Sequence, residues 1–305
     1  MGTPRFAVQP LRSLVAAGHE VAGVVTRIDK PAGRGRSLAE PAVKVAAKEL
    51  NLAVLQPKRV REPEFIETLR GLKPEAIVVA AYGQILPKEL LSLPRYGCIN
   101  IHASLLPLYR GAAPINWAII RGDRETGNTI MLMDEGMDTG AILKQERMPI
   151  EARDTTGTLT EKLSLLGARL ITDTLPLIQA GKLAPMQQDN EMAVPAPLLK
   201  KEDGLIDWNL SAAAIHNRVR GLSPWPGAYT FLDGKIVKII ETEAASGTAE
   251  PGMIVGMDRN AFAIGAGSGL LCILSIQPEG KKPMSAGDFL RGHREAIGKK
   301  FTSTK

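Results

Sequence analysis

Two short apolar stretches decide the predicted fold of the first half of the chain: Glu75-Ala-Ile-Val-Val-Ala-Ala81 and Cys98-Ile-Asn-Ile-His102. Their apolar, partly β-branched composition is typical of strands that are buried on both faces of a parallel sheet. Helical patterns alternate with these and other apolar runs, which indicates an α/β protein. We therefore predict a doubly wound, mostly parallel α/β sheet. The predicted elements are strands at residues 21–25, 53–55, 75–81 and 98–102, helices at 42–50, 63–72 and 114–121, a strand pair at 129–133 and 141–148, and a long helix at 158–180.

The second half of the chain has a different pattern. Residues 184–203 are punctuated by Pro185, Pro195 and Pro197 and have no sustained period, which predicts a linker between two domains. Short, closely spaced strands beyond it are typical of a small closed barrel such as an OB-fold. We thus predict an α/β domain at 1–183 and an OB-like β-barrel domain at 204–305. Its predicted elements are a helix at 211–221 and strands at 228–232, 236–241, 253–255, 261–264 and 270–276.

The composition is that of a folded protein in a reducing compartment. Of the 305 residues, 44% are hydrophobic and 23% charged, which excludes a disordered or fibrous chain. The apolar runs are too short to span a bilayer, and Met1-Gly-Thr-Pro-Arg5 has no signal-peptide core. Cys98 and Cys272 form no CxxC motif, and the histidines form no HExxH motif, so we expect no disulfide framework and no metal. We predict a cytoplasmic protein without a membrane partner.

Basic residues exceed acidic ones by 38 to 32, and the excess is concentrated near the two ends of the chain. Residues 27–36 contain four basic side chains against Asp29, and residues 279–305 contain seven basic side chains against three acidic ones. Two such patches could grip one polyanion, since phosphate contacts supply most sequence-independent affinity for nucleic acids. On charge alone, a pair of solvated surface segments explains them equally well.

Three polar side chains are candidates for catalysis. Asn100 and His102 leave the same face of a predicted strand, near its carboxyl end, where α/β sheets bind their ligands. The loop at residues 134–140 can bring Asp138 close to them. An amide, an imidazole and a carboxylate suit acyl transfer without a covalent enzyme intermediate. From spacing alone, a strand-capping histidine and a turn aspartate stay a competing interpretation.

Six motifs are spread along almost the whole chain: Pro31-Ala-Gly-Arg-Gly-Arg36, Asn100-Ile-His-Ala-Ser-Leu-Leu-Pro107, Tyr109-Arg-Gly-Ala-Ala-Pro114, Asp134-Glu-Gly-Met-Asp-Thr-Gly140, Trp225-Pro-Gly-Ala228 and Asp288-Phe-Leu-Arg-Gly292. Together they resemble the methionyl-tRNA formyltransferase family. The core of Asn100, His102 and Asp138 is shared more widely among 10-formyltetrahydrofolate enzymes, whereas the motifs at residues 31–36 and 225–228 are typical of the tRNA enzyme.

The resemblance implies a Rossmann-like formyltransferase domain, followed by an OB-like domain that binds tRNA. The implied reaction passes the formyl group of 10-formyltetrahydrofolate to the α-amino group of methionine on the initiator methionyl-tRNA. Asn100 and His102 would hold the oxyanion, while Asp138 would orient His102 and relay the proton of the amine. The expected folate site comprises Ser104, Leu105, Leu106, Pro107, Tyr82, Gly83 and Leu86. The expected tRNA contacts are Arg34, Arg36, Lys30, Lys281, Lys282 and Arg291, with Arg34 the most critical.

The sequence departs from the family pattern at its start. Family members normally begin with a short apolar strand that runs into the turn Gly2-Thr-Pro4, so we expect a central strand of the sheet to be missing here. We also expect residues 31–37 to form an irregular basic loop, and the protein to be a monomer. Two alternatives stay open: a formyltransferase that acts on a sugar nucleotide or a purine precursor, and a non-catalytic RNA-binding protein.

Overall fold

The computed structural model describes residues 1–32, 37–256 and 262–304. They divide into two compact units that are not continuous along the chain. The first contains Met1–Pro114, Glu125–Pro149 and Thr160–Ala196, and the second contains Ile115–Arg124, Ile150–Leu159 and Pro197–Lys305. The last step from one unit to the other, at Ala196, falls inside the predicted linker.

The helices and strands are numbered in chain order. The helices are α1 (Val8–Ala16), α2 (Ala42–Glu49), α3 (Pro63–Gly71), α4 (Lys88–Leu91), α5 (Pro114–Arg121), α6 (Thr156–Gln179), α7 (Ala212–Gly221) and α8 (Ala286–Gly292). The strands are β1 (Val24–Val25), β2 (Lys30–Ala32), β3 (Ser37–Ala39), β4 (Val54–Leu55), β5 (Ile77–Val79), β6 (Cys98–His102), β7 (Leu108–Gly111), β8 (Glu125–Leu132), β9 (Ile142–Pro149), β10 (Val194–Ala196), β11 (Ala228–Leu232), β12 (Lys235–Ala245), β13 (Ile254–Gly256), β14 (Phe262–Gly265), β15 (Leu270–Pro278) and β16 (Met284–Ser285).

The first unit has the predicted α/β architecture. Parallel pairing joins β1 to β4 and β5 to β6, and the predicted strand pair, β8 and β9, extends β6 in antiparallel fashion. All five residues of β6 are buried, as the apolar pattern predicts for a strand covered on both faces. The predicted fold class is therefore confirmed.

Among the described residues, no strand lies between β1 and β5. Met1 and Gly2 bridge these two strands. The amide of Gly2 donates to the carbonyl of Val25 (3.0 Å), and the amide of Ala80 donates to the carbonyl of Met1 (2.9 Å). A cavity of about 380 Å³ adjoins this bridge. Its apolar lining includes Leu11, Val24, Leu69, Leu72 and Ile77.

The region of the predicted basic loop begins and ends in strands. β2 and β3 pair antiparallel, with Pro31 opposite Leu38, so the prediction of an irregular loop is wrong at both ends. A two-stranded sheet consists of two edges, and an edge strand tolerates a proline because no donor is needed on its outer side. The residues between these strands, 33–36, lie outside the described part of the chain.

The second unit contains the predicted barrel. Its antiparallel sheet has the order β11-β12-β15-β14-β13, and β16 pairs with β15. The C-terminal residues close the sheet, because Thr302 bridges Phe231 of β11 and Lys300 bridges Met253 beside β13. The enclosed core includes Trp208, Phe262, Phe289 and Phe301. In the first unit, residues of the predicted linker form β10, which pairs in parallel with β7.

Among the residues that the structure describes, no helix is both long and apolar enough to cross a membrane.

Candidate active site

Asn100, His102 and Asp138 meet at the end of β6. Nδ2 of Asn100 lies 3.4 Å from Oδ1 of Asp138, and Nδ1 of His102 lies 3.6 Å from the same oxygen. Asn100 and His102 are 8% and 6% exposed, and the side chain of Asp138 is 17% exposed. The structure thus brings together the three residues that the sequence predicts for catalysis, with Asp138 the most accessible.

The loop between β8 and β9 presents the carboxylate of Asp138. The backbone of Asp138 is left-handed (φ 56°), a conformation that few residues other than glycine adopt and that neighbouring contacts must hold. Oδ1 of Asp134 accepts hydrogen bonds from Gly136 N (3.1 Å) and Thr139 Oγ1 (2.7 Å) within the loop. From outside the loop, the amide of Gly111 donates to Oδ2 of Asp138 at 2.9 Å.

The ring of His102 is oriented by a backbone carbonyl. Its Nε2 lies 2.9 Å from the carbonyl oxygen of Tyr109. A carbonyl oxygen only accepts, so in the neutral ring Nε2 carries the proton and Nδ1 carries the lone pair. The nitrogen that faces Asp138 is therefore the one that can take up a proton.

The predicted folate turn, residues 104–107, is fixed by the hydroxyl of Thr129 on β8. This hydroxyl donates to the carbonyl of Ser104 (2.7 Å) and accepts from the amide of Leu106 (3.1 Å). Nε2 of Gln145 donates to the carbonyl of Leu106 (2.7 Å) and to the Thr129 hydroxyl (2.9 Å). Leu106 is buried, Leu105 and Pro107 are half-buried, and the Leu106–Pro107 peptide is cis.

The second group of predicted folate residues has a different environment. Tyr82 and Leu86 are 2% and 4% exposed and belong to an apolar cluster with Val25 and Leu90. Burial raises the pKa of the Tyr82 phenol to about 12. Gly83 is exposed, and its carbonyl accepts a hydrogen bond from Arg27. The side chains of Tyr82 and Leu86 are therefore core side chains, and Gly83 alone of the three offers an exposed surface.

The chain matches two family models. Residues 1–175 match the model described as formyl transferase, and residues 198–294 match the model of the formyl transferase C-terminal domain. The chain is 51% identical to the methionyl-tRNA formyltransferase of Citrifermentans bemidjiense, over 99% of this chain and 96% of that protein. It is 50% identical to the methionyl-tRNA formyltransferase of Geobacter sulfurreducens, over 96% and 93% of the two chains. This chain belongs to the methionyl-tRNA formyltransferase family.

A solved structure supports the fold of this formyltransferase. WlaRD, a sugar 3N-formyl transferase crystallised in the presence of dTDP and 5-N-formyl-THF, has a TM-score of 0.67. The similarity covers 92% of this chain and 97% of that one at 21% sequence identity. At this identity the likeness concerns the fold alone, which agrees with the predicted Rossmann-like and barrel domains.

The cations predicted to contact tRNA are surface residues wherever the structure describes them. Lys30 is exposed on β2, while Arg34 and Arg36 lie outside the described residues. In the second unit, Lys281 and Lys282 are exposed. Arg291 pairs with Asp288, and hydrogen bonds from Ser285 and Arg291 lower the pKa of that carboxyl group.

Sequence reasoning missed the backbone groups of this site. The carbonyl of Tyr109 and the amide of Gly111 contact His102 and Asp138, but a backbone group leaves no side-chain pattern to recognise. The sequence signal nearest to them is the motif from Tyr109 to Pro114. Within the described part of the chain, no cluster of His, Cys, Asp and Glu is arranged to hold a metal ion.

Proposed function

We propose that this formyltransferase moves the formyl group of 10-formyltetrahydrofolate to the α-amino group of methionyl-initiator tRNA. The observation that carries the proposal is the meeting of Asn100, His102 and Asp138 within 3.6 Å, in a chain about half identical to methionyl-tRNA formyltransferases. An amide donor, a proton-accepting nitrogen and a carboxylate are the groups that formyl transfer to an amine requires.

The nucleophile needs little activation. A free α-amino group titrates near pH 7.7–8.0, so part of the aminoacyl-tRNA is neutral at cellular pH. Its nitrogen attacks the formyl carbon, and the carbonyl oxygen becomes an oxyanion. In our proposal Nδ2 of Asn100 donates to that oxyanion, and His102 donates from Nδ1 once the ring has taken up a proton.

His102 and Asp138 would handle the proton of the amine. In the neutral ring Nδ1 of His102 is free to accept, because Nε2 is bound to the carbonyl of Tyr109. Asp138, 3.6 Å away, stabilises the imidazolium that forms and relays the proton, through water, to the nitrogen of the folate. The bond from the formyl carbon to the folate nitrogen then breaks, and that nitrogen takes up the proton as formylmethionyl-tRNA is released.

The first domain would bind the folate, and both domains would contact the tRNA. The half-buried side chains of Leu105 and Pro107 and the exposed backbone at Gly83 would line the folate site, since apolar side chains suit a flat pterin ring. In our proposal Lys30, Arg34 and Arg36 contact the acceptor stem, and exposed cations of the second unit contact phosphates elsewhere. The monomeric state, the cytoplasmic location and the domain boundaries at residues 183 and 204 are part of the same proposal.

A formylation assay with purified, charged tRNAs tests this function. We expect formylmethionine on the initiator methionyl-tRNA and much less on the elongator methionyl-tRNA when 10-formyltetrahydrofolate is supplied. An amino sugar nucleotide serves as the competing acceptor. Formylation of the sugar nucleotide but not of either tRNA would contradict the proposal, and so would tRNA binding without any turnover of the folate.

A further inference from the structure

Gln188 occupies an unusual place in the first unit, just before β10. It is only 9% exposed, although the proposed chemistry uses no amide at this position. Its Nε2 donates to the backbone carbonyls of Asp138 (2.8 Å) and Gly140 (2.7 Å). Its Oε1 accepts from Nε (3.0 Å) and Nη2 (2.8 Å) of Arg110. Both hydrogens and both lone pairs of the amide are therefore used.

These contacts join the two segments that fix the carboxylate of Asp138. One segment is the loop after β8, which carries Asp138 in its left-handed conformation. The other is the end of β7, where Arg110 precedes Gly111, the residue whose amide donates to Oδ2 of Asp138. Gln188 thus contacts the backbone of Asp138 through its Nε2 and Arg110 through its Oε1. Arg110 is the neighbour of Gly111, which donates to the carboxylate of Asp138.

A glutamine is well suited to this position among side chains of its length. A glutamate offers no donor to the carbonyls of Asp138 and Gly140, and it places a negative charge beside them. A methionine fills the same volume but leaves two carbonyls and part of a guanidinium without their partner. Such buried, unpaired groups would destabilise the positions of the two segments that Gln188 joins.

We propose that Gln188 is a positioning residue for formyl transfer, which acts by holding the carboxylate of Asp138 toward Asn100 and His102. This inference rests on the proposed function. Small displacements of catalytic groups have large kinetic effects, so we expect kcat of the Gln188→Met variant to fall roughly tenfold to hundredfold. KM for both substrates should change little, because Gln188 contacts the enzyme's own backbone and Arg110 rather than a predicted substrate surface.

A double-mutant cycle separates positioning from loss of structure. Single-turnover formylation is measured for the wild type, Gln188→Met, Asp138→Asn and the double variant. If Gln188 acts through Asp138, its substitution has little further effect once Asp138 has lost its carboxylate. The neighbouring Gln187 is exposed, and Gln187→Met is the matched control, with wild-type activity expected. Gln188→Glu is a second variant, because its carboxylate keeps acceptors for Arg110 and loses only the donors to the carbonyls of Asp138 and Gly140.

The outcomes distinguish this inference from the proposed function. A lower kcat at unchanged KM, with a melting temperature near that of the wild type and little added loss in the double variant, supports the inference. Activity within twofold of the wild type in both Gln188 variants would overturn it, as would an equal fold-loss in the Asp138→Asn background. If the wild type itself does not formylate methionyl-tRNA, the proposed function fails, whatever the variants do.

Discussion

Nε2 of His102 lies 2.9 Å from the carbonyl oxygen of Tyr109, and this contact decides which ring nitrogen faces Asp138. A glutamine at this position can keep the contact with Tyr109 through its amide, but it has no basic nitrogen at the place of Nδ1. We therefore expect His102→Gln to lose about 10²- to 10⁴-fold in kcat, the usual contribution of a positioned acid–base group. Formylation kinetics measure this loss, with His19→Gln as the control. Activity near the wild-type level would exclude His102 from proton transfer.

The hydroxyl of Thr129 offers a test of the folate turn. Thr129→Val removes the partner of Ser104 and Leu106 while keeping the shape of the side chain. We expect KM for the folate to rise several-fold and the free energy of unfolding to fall by about 1–3 kcal/mol, since buried polar groups lose their partner.

Thr126, on the same strand, is the matched control. It is 3% exposed, and its hydroxyl has no hydrogen-bond partner among the residues that the structure describes. Thr126→Val should therefore leave both KM and stability unchanged or slightly improve stability. Equal effects of the two substitutions on KM would show that the turn is not part of the folate site.

The basic segment around Arg34 is tested by comparing two reactions of the same enzyme. Arg34→Ala should reduce formylation of charged tRNA and leave hydrolysis of the bare folate unchanged, because only the first reaction needs phosphate contacts. The deficit should shrink as the salt concentration rises, because the variant has one phosphate contact fewer and its affinity for tRNA falls less steeply with salt. Arg70→Ala removes an exposed arginine paired with Glu67 and serves as the control. An equal loss in both reactions would argue against a role in tRNA binding.

The cavity beside Met1 and Gly2 leads us to expect that filling it with apolar side chains stabilises the fold. An apolar strand placed ahead of Met1 could enter the space between β1 and β5, and each buried side chain contributes about 1.5–3 kcal/mol. We expect such an extended chain to melt at a higher temperature than the 305-residue chain, whereas an extension of alternating Asp and Lys should not. A thermal denaturation curve of each form makes the comparison, and equal melting temperatures would contradict it.

The buried ammonium group of Met1, in the same region, should make the stability of the fold depend on pH. Burial lowers the pKa of the Met1 ammonium group from 8.0 to about 6. Between these values the unfolded chain binds more protons than the folded chain, so stability should rise with pH from 6 to 8, by about 2 kcal/mol. Chemical denaturation across this range measures the change. The extended chain has no ammonium there and should show a flatter profile.

The sequence predicted most of the elements but not their fine geometry. β6, α5 and β11 have the predicted bounds, because continuous apolar runs and clear turn residues mark both ends. No bounds were predicted for α1, whose third residue is Pro10, because proline is tolerated in the first turn of a helix but weakens the helical pattern. β10 lies inside the predicted linker. It could not be predicted from its own sequence, because its partner strand, β7, lies far away along the chain.

The same limit applies to the site. Asn100, His102 and Asp138 could be recognised because their side chains have chemistry of their own and occur in motifs. Gln188 could not, because it lies in a segment punctuated by prolines and its partners are backbone carbonyls and Arg110, 78 positions away. The burial of Tyr82 and Leu86 likewise depends on packing between distant elements, which a local pattern does not contain.

The most direct test of the account is the single-turnover rate of formylmethionyl-tRNA formation for the wild type and Asn100→Ala at saturating folate. Removing one oxyanion donor typically lowers the rate by about 10²- to 10³-fold. We predict a loss of that size, with folate binding by equilibrium titration equal to that of the wild type. A variant that binds folate and transfers the formyl group as fast as the wild type would contradict the account.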